Sequence, residues 1–242
     1  MQAAATGALI DDAAWSVAAR TAVALADAKL ARRFDAGAPA DRLIALRARA
    51  VDVQVRAAWQ RCFDEAAPLA LFAVGGYGRG ELFPHSDIDL LVLAEPAAQQ
   101  QGETALARFN AMLWDAGLQV SMAVRSAQEC TQAAADITVV TALIEARPLC
   151  ANDADVARLA DAVSSGHVWP PARFFAEKCE EQRRRHARFG DTSDNLEPNL
   201  KDGPGGLRDL HLLGWLALRS FGARSLDQMI ELGRLGFDEA AA

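Results

Sequence analysis

Residues 75–93 read GGYGRGELFPHSDIDLLVL, and this stretch decides the fold. An apolar run, Leu69–Val74, leads into Gly75 and Gly76, and eleven residues after Gly76 two aspartates alternate with apolar residues as the next run begins. In a strand, residues i and i+2 project from the same face. Asp87 and Asp89 are therefore expected side by side, roughly 6.5–7 Å apart at the strand rise. Two carboxylates so placed repel each other unless a cation lies between them. Hard oxygen donors at this spacing suit Mg²⁺, which is commonly held by one or two carboxylates together with substrate phosphates. The glycines allow backbone N–H groups to approach those phosphates, with Arg79 and Ser86 in the same loop as further nucleotide contacts. A phosphate loop beside metal-binding carboxylates implies phosphoryl or nucleotidyl transfer, with Asp87 and Asp89 as the catalytic pair. No Gly-Lys-Ser/Thr follows the glycines, so this is not a Walker loop. The second strand also arrives after about a dozen residues, too soon for the crossover helix of a dinucleotide-binding unit.

The rest of the composition narrows the function. At 242 residues the chain can hold one large domain or two modest ones, and its 51% hydrophobic, alanine-rich content favours helices. No apolar run is long enough to span a bilayer. The start, MQAAATGALIDDAAW, lacks the basic and apolar regions of a secretory signal, so a cytoplasmic protein with no membrane partner is expected. A formal charge of −7 counts against nucleic acid as a partner. The basic cluster Arg183, Arg184, Arg185, His186 and Arg188 reads as a solvated helical face. Cys62, Cys130, Cys150 and Cys179 lack the C-x-x-C spacing of a zinc or redox site.

Periodicity predicts an α+β protein: a small mixed sheet flanked by helices and followed by an all-helical region. N-terminal helices occupy 1–66, with Trp15, Val17, Leu25 and Leu30 at helical spacing and a second helix over 41–66. The core occupies 67–150, with strands at 69–74, 88–93 and 118–124 and a helix at 99–116 carrying Leu106, Phe109, Leu113 and Trp114 on one face. Helical segments are expected at 126–135 and 138–146, and a helical domain over 151–242 contains segments at 152–163, 172–189 and 206–221.

Residues 75–93 resemble the signature of the polymerase-β nucleotidyltransferase superfamily. A second stretch, NLEPNLKDGPGGLRDLHLLGWLALR at 195–219, resembles the block that follows the transferase core in bifunctional uridylyltransferase/uridylyl-removing enzymes acting on the nitrogen-signalling protein PII. EEQRRRHARFGDTSDNLEPN at 180–199, LWDAGL at 113–118 and ARPL at 146–149 are similar to that family too. Glutamine synthetase adenylyltransferases share the glycine and aspartate features but usually continue with Ile-Glu-Phe where this chain has Leu210-His211-Leu212.

The resemblance implies a nucleotidyltransferase core binding Mg²⁺, UTP as donor and a PII tyrosine as acceptor. In the second block, Lys201 and Arg208 would neutralise phosphate, Asp209 would orient Arg208, and the helix after Gly206 would turn its N-terminus to an anion. Tyr77 reads as a loop-packing residue. Where the family shows Leu-Glu-Val-Gly-His-Ser-Val-Arg, this chain has LQVSMAVR over 118–125, so Gln119 stands in place of an expected acid. None of His85, His167, His186 and His211 precedes an Asp, so the HD signature of uridylyl removal is missing. With no HD or ACT domains expected, the chain reads as an N-terminal or truncated portion of the family's architecture. Two alternatives stay open: an adenylyltransferase acting on glutamine synthetase, and a non-catalytic nucleotide-binding module. Nothing in the glycine loop reads a base edge.

Overall fold

A computed structural model describes residues 2–190 and 197–236; of 2–11 it describes the backbone course alone. Two compact units make up the chain, residues 1–133 with 142–162 and residues 134–141 with 163–242.

The first unit is built on a four-stranded sheet in the order β3-β2-β1-β4, from β1 (Ala70–Ala73), β2 (Ile88–Leu93), β3 (Val120–Arg125) and β4 (Arg147–Cys150). β1 runs antiparallel to β2 and β4, whereas β2 and β3 are parallel. The sheet is thus mixed, as expected. The connection from β1 to β2 is a wide hairpin, not a crossover. β1 reads Ala-Leu-Phe-Ala and is buried throughout, which suits a central strand covered on both faces. The edge strand β4 was not foreseen. Its Pro148 cannot donate to a ladder, and it pairs with Phe72 beside a register irregularity, which is where proline is tolerated.

Helices α1 (Gln2–Asp35), α2 (Ala40–Cys62) and α4 (Pro96–Asp115) pack with this sheet, and α3 is a single turn, Gly75–Gly78. Pro96 sits at the start of α4, where its missing N–H costs nothing. α2 buries Leu43, Ala48, Val51, Val55, Ala58 and Trp59, close to a helical stripe. Trp59 meets Phe109 of α4 edge to face, with ring centroids 5.2 Å apart. Each such fully buried side chain contributes roughly 1.5–3 kcal/mol. On α4, Leu106, Phe109, Met112 and Leu113 face inward, but Trp114 is exposed. On α1 the apolar residues divide: Trp15 packs against the core and Val17 and Leu25 lie in solvent, while Asp12, Ser16 and Ala19 are buried. A carboxylate is acceptable there because Arg108 of α4 grips Asp12 at 2.6 and 2.8 Å and Arg61 of α2 adds a third bond. These hydrogen bonds, Arg108 first, overcome burial and hold the Asp12 carboxyl below its usual range. α5 (Ala127–Ala133) and α7 (Asp153–Ala162) complete the unit, and α6 (Ile137–Ile144) spans the boundary between units.

The second unit centres on α8 (Pro171–Ala187) and α9 (Leu207–Phe221), followed by α10 (Leu226–Glu231). Phe174, Leu212 and Trp215 are among its buried apolar residues. Arg219, buried on α9, donates to the carbonyls of Val163 and Trp169 at 2.6 and 2.9 Å, and also to that of Val168. It thereby satisfies the backbone of the segment that precedes α8. No described helix is long and apolar enough to cross a membrane.

Candidate active site

The hairpin from β1 to β2 folds its first residues into the α3 turn, so Gly75 and Gly76 form a helical start rather than an open loop. The first N–H groups of such a turn have no intrahelical acceptor and are available to an anion. Gly75 adopts φ +58°, and a Cβ built there would lie 3.4 Å from Oδ2 of Asp89. The carboxylate therefore rests over the bare glycine. Asp89 is the half-buried second residue of β2, and Asp87 is exposed immediately before the strand. The Val74 N–H donates to the Asp89 carbonyl at 3.0 Å, which ties the root of the turn to the strand carrying the acid. Ser86, half-buried, closes the Phe83–Ser86 turn, and Arg47 fixes that turn through the Phe83 carbonyl at 2.8 Å.

Behind the turn lie two polar braces that no local pattern had signalled. Tyr77, 1% exposed, donates its hydroxyl to Asp52 at 2.7 Å, so it packs as expected and burial keeps its phenol protonated. Arg147 of β4 grips the same Asp52 at 2.7 and 3.0 Å and donates to the carbonyls of Tyr77 and Gly78 at 3.2 and 3.3 Å. Arg79 donates to both oxygens of Glu145, at 2.8 and 2.7 Å, and to Glu81 at 2.8 Å. The guanidinium expected to meet phosphate is thus held by two carboxylates of the chain itself. A Cβ on Gly78 would come within 2.5 Å of the Glu145 carbonyl oxygen, so only glycine fits beneath this brace. Gly76 is different: a Cβ there would make ordinary contacts at 3.6 Å.

Gln119, exposed just before β3, gives its backbone carbonyl to the Ile88 N–H at 2.8 Å. The register Ile88↔Val120 and Asp89↔Ser121 sets it beside Asp87 at the head of the parallel strands. Among the described residues no group of three or more His, Cys, Asp or Glu stands ready for a metal. The donor set at this strand head is a pair of carboxylates. That pair suits a small hard cation completing its shell with water and phosphate oxygens.

The other predicted site residues, Lys201 and Arg208, lie in the second unit, where residues 199–206 make a compact turn into α9. Asn199 Oδ1 accepts the N–H groups of Lys201 and Asp202 at 3.0 and 2.8 Å. A Cβ on Gly206 would fall 2.9 Å from the carbonyls of Leu200 and Gly203. Asp209 does not orient Arg208. Its carboxylate accepts Arg185 at 2.5 Å, Gln182 at 2.9 Å, His186 Nε2 at 3.0 Å and the Gly205 N–H at 2.8 Å. Burial would raise this carboxyl, but those donors, Arg185 and Gln182 foremost, outweigh it and pull it down to about 2. The anion at the α9 N-terminus is therefore the chain's own, a carboxylate at the positive end of the helix dipole. Arg208 leans instead on Asp202 at 3.5 Å, and Lys201 is exposed. The basic run on α8 also divides: Arg183 and Arg184 are exposed as expected, whereas Arg185 is buried on Asp209. Of the 180–199 stretch, residues 191–196 lie outside the described residues.

Comparison with known proteins bears on both units. A family model described as "Nucleotidyltransferase domain" matches residues 55–143, and one described as "GlnD PII-uridylyltransferase" matches residues 173–242. The chain is 61% identical over 231 residues to a bifunctional uridylyltransferase/uridylyl-removing enzyme of Xanthomonas campestris pv. campestris (strain B100), covering 96% of this chain and 27% of that protein. It is 57% identical over the same extent to the enzyme so named from Xanthomonas oryzae pv. oryzae (strain MAFF 311018). With the Pseudomonas aeruginosa enzyme of that name it shares 46% identity over 209 residues, 85% of this chain and 23% of the relative. The chain thus spans about a quarter of the length of the curated relatives it matches.

Proposed function

The chain belongs to the family of the bifunctional uridylyltransferase/uridylyl-removing enzymes over the part of them that it spans, and on that premise we propose that it transfers UMP from UTP to a tyrosine of a PII signalling protein. The phenolic oxygen forms a bond to the α-phosphorus as the bond to the bridging oxygen breaks, giving UMP-tyrosine and releasing pyrophosphate. Asp87 and Asp89 would hold Mg²⁺, which when bound supplies positive charge to the phosphates. The N–H groups opening the α3 turn cradle the β- and γ-phosphates, with the Ser86 hydroxyl beside them. Lys201 and Arg208 present cations on the second unit that suit an anionic group of the substrate. The chemistry needs little more than positioning and charge.

One observation carries the reading: the Asp89 carboxylate rests over the bare Gly75, 3.4 Å from where a Cβ would be, so an acid and the N–H end of the glycine turn share one place. The test is incorporation of labelled UMP into PII by this chain, with labelled ATP and glutamine synthetase as the competing donor and acceptor. Mg²⁺-dependent labelling of PII from UTP supports the proposal, and transfer from ATP to glutamine synthetase would replace it. A module that binds nucleotide without turnover is the reading that Gln119 favours, since an amide is no general base. Binding without product at any Mg²⁺ or Mn²⁺ concentration would select it.

A further inference from the structure

The loop arginine expected to meet phosphate has a different geometry from a ligand. The Arg79 side chain folds back from the end of the α3 turn, and Nη2 lies 3.6 Å from where a Cβ on Gly76 would be. Nη1 meets both oxygens of Glu145 and Nε meets Glu81. Glu145 sits in the turn between α6 and β4, and its side chain is 5% exposed. Its backbone carbonyl is also the surface against which Gly78 packs. One residue therefore touches the glycine turn twice, by carboxylate through Arg79 and by main chain at Gly78.

Charge decides what Arg79 can do. A buried carboxylate stripped of its cation is costly, far more so than one exposed to water. Were Arg79 to swing toward a phosphate, the buried Glu145 would lose the hydrogen bonds that both its oxygens accept from that guanidinium. Arg147, two residues further along the chain in β4, grips the Tyr77 and Gly78 carbonyls. The carbonyl end of the turn is thus tied to the β4 segment while Gly75, at its N–H end, lies under Asp89.

We propose that Glu145, acting through Arg79, is a positioning residue for the nucleotide: the pair fixes the height of the glycine turn against Asp89, and Arg79 is not itself a phosphate ligand. This rests on the nucleotidyltransfer reading, because it assigns the turn to holding the triphosphate. The turn binds phosphates in ground and transition states alike, so loosening it raises KM for the nucleotide with little change in kcat.

The experiment is a double-mutant cycle read by calorimetric titration with Mg²⁺·UTP in the absence of acceptor, beside thermal midpoints and steady-state labelling of PII. Glu145→Gln and Arg79→Gln are each expected to weaken UTP by about 10-fold, and the double variant no further than either alone. KM for UTP rises in step, and kcat stays within about threefold. If Arg79 bound phosphate directly, Arg79→Gln would weaken UTP while Glu145→Gln left affinity unchanged or tightened it. That result overturns the proposal. So does a lowered thermal midpoint with unchanged affinity, the mark of a purely structural pair. Should a variant fail to fold, Glu145→Asp and Arg79→Lys, which keep charge but alter reach, carry the same comparison under the same criteria. A wild-type chain that binds Mg²⁺·UTP but labels no PII sinks the uridylyl-transfer reading and leaves the affinity cycle to decide the positioning role. A chain that binds neither Mg²⁺·UTP nor Mg²⁺·ATP sinks both.

Discussion

Two glycine turns, one in each unit, use the same parts to opposite ends. At 75–89 the cation is held from behind, Arg79 by Glu145 and Glu81, and the acids Asp87 and Asp89 stand at the strand head. At 199–209 the acid is held from behind, Asp209 by Arg185, Gln182, His186 and the Gly205 N–H, and the cation Lys201 faces solvent. The first turn presents negative charge and the second positive. A glycine turn with acidic and basic neighbours thus has no fixed chemistry; the fold decides which of its charges is gripped from behind.

This contrast can be broken most sharply at the displayed acid. Asp89→Asn is expected to cut UMP labelling on the order of 10³-fold, since stabilising the developing charge supplies most of the rate enhancement in such transfer. Near-normal labelling would remove Asp89 from the site. The inverse holds for the sequestered acid. Asp209→Asn leaves the buried Arg185 without its counter-charge and should lower unfolding free energy by about 3 kcal/mol in a denaturant titration. The sign with pH follows from the depressed carboxyl, held at about 2. The stability that Asp209 contributes is complete above the unfolded value of about 4 and is lost as pH falls through the folded one. An acid titration of the Asn variant should lack that step.

Neighbouring glycines sharpen the comparison further. Gly78→Ala forces a Cβ against the Glu145 carbonyl and should cost about 1–3 kcal/mol of stability. Gly76→Ala, where a Cβ has ordinary room, should leave the melting curve nearly unchanged yet weaken Mg²⁺·UTP about 10-fold by blocking close approach. Equal effects at the two positions would show that Gly76 serves the fold rather than a ligand. The smallest change is expected from Gln119→Glu, which adds a carboxylate beside Asp87 and should lower the Mg²⁺ concentration for half-maximal labelling by about threefold.

Much of the first unit was legible in the sequence. The strand 88–93 matches its predicted bounds, and the glycines fall where the first strand ends. β4 was not legible, because four residues with a proline carry no alternation to read. The burial of Asp12 on α1 was not legible either, because it depends on an ion pair with α4. Arg185 looked like one more solvated arginine in a basic run.

What the chain determined by itself is what neighbouring residues can specify: strand and helix periods and the glycine turn. These rest on backbone sterics and local spacing, which a short window contains. What the tertiary structure decided is which charges are paired within the fold. Arg79 meets Glu145 across 66 residues, Arg147 meets Asp52 across 95 and Arg185 meets Asp209 across 24. A charge is neutralised by whatever the fold brings within a few ångströms, and that distance is set by the path of the whole chain.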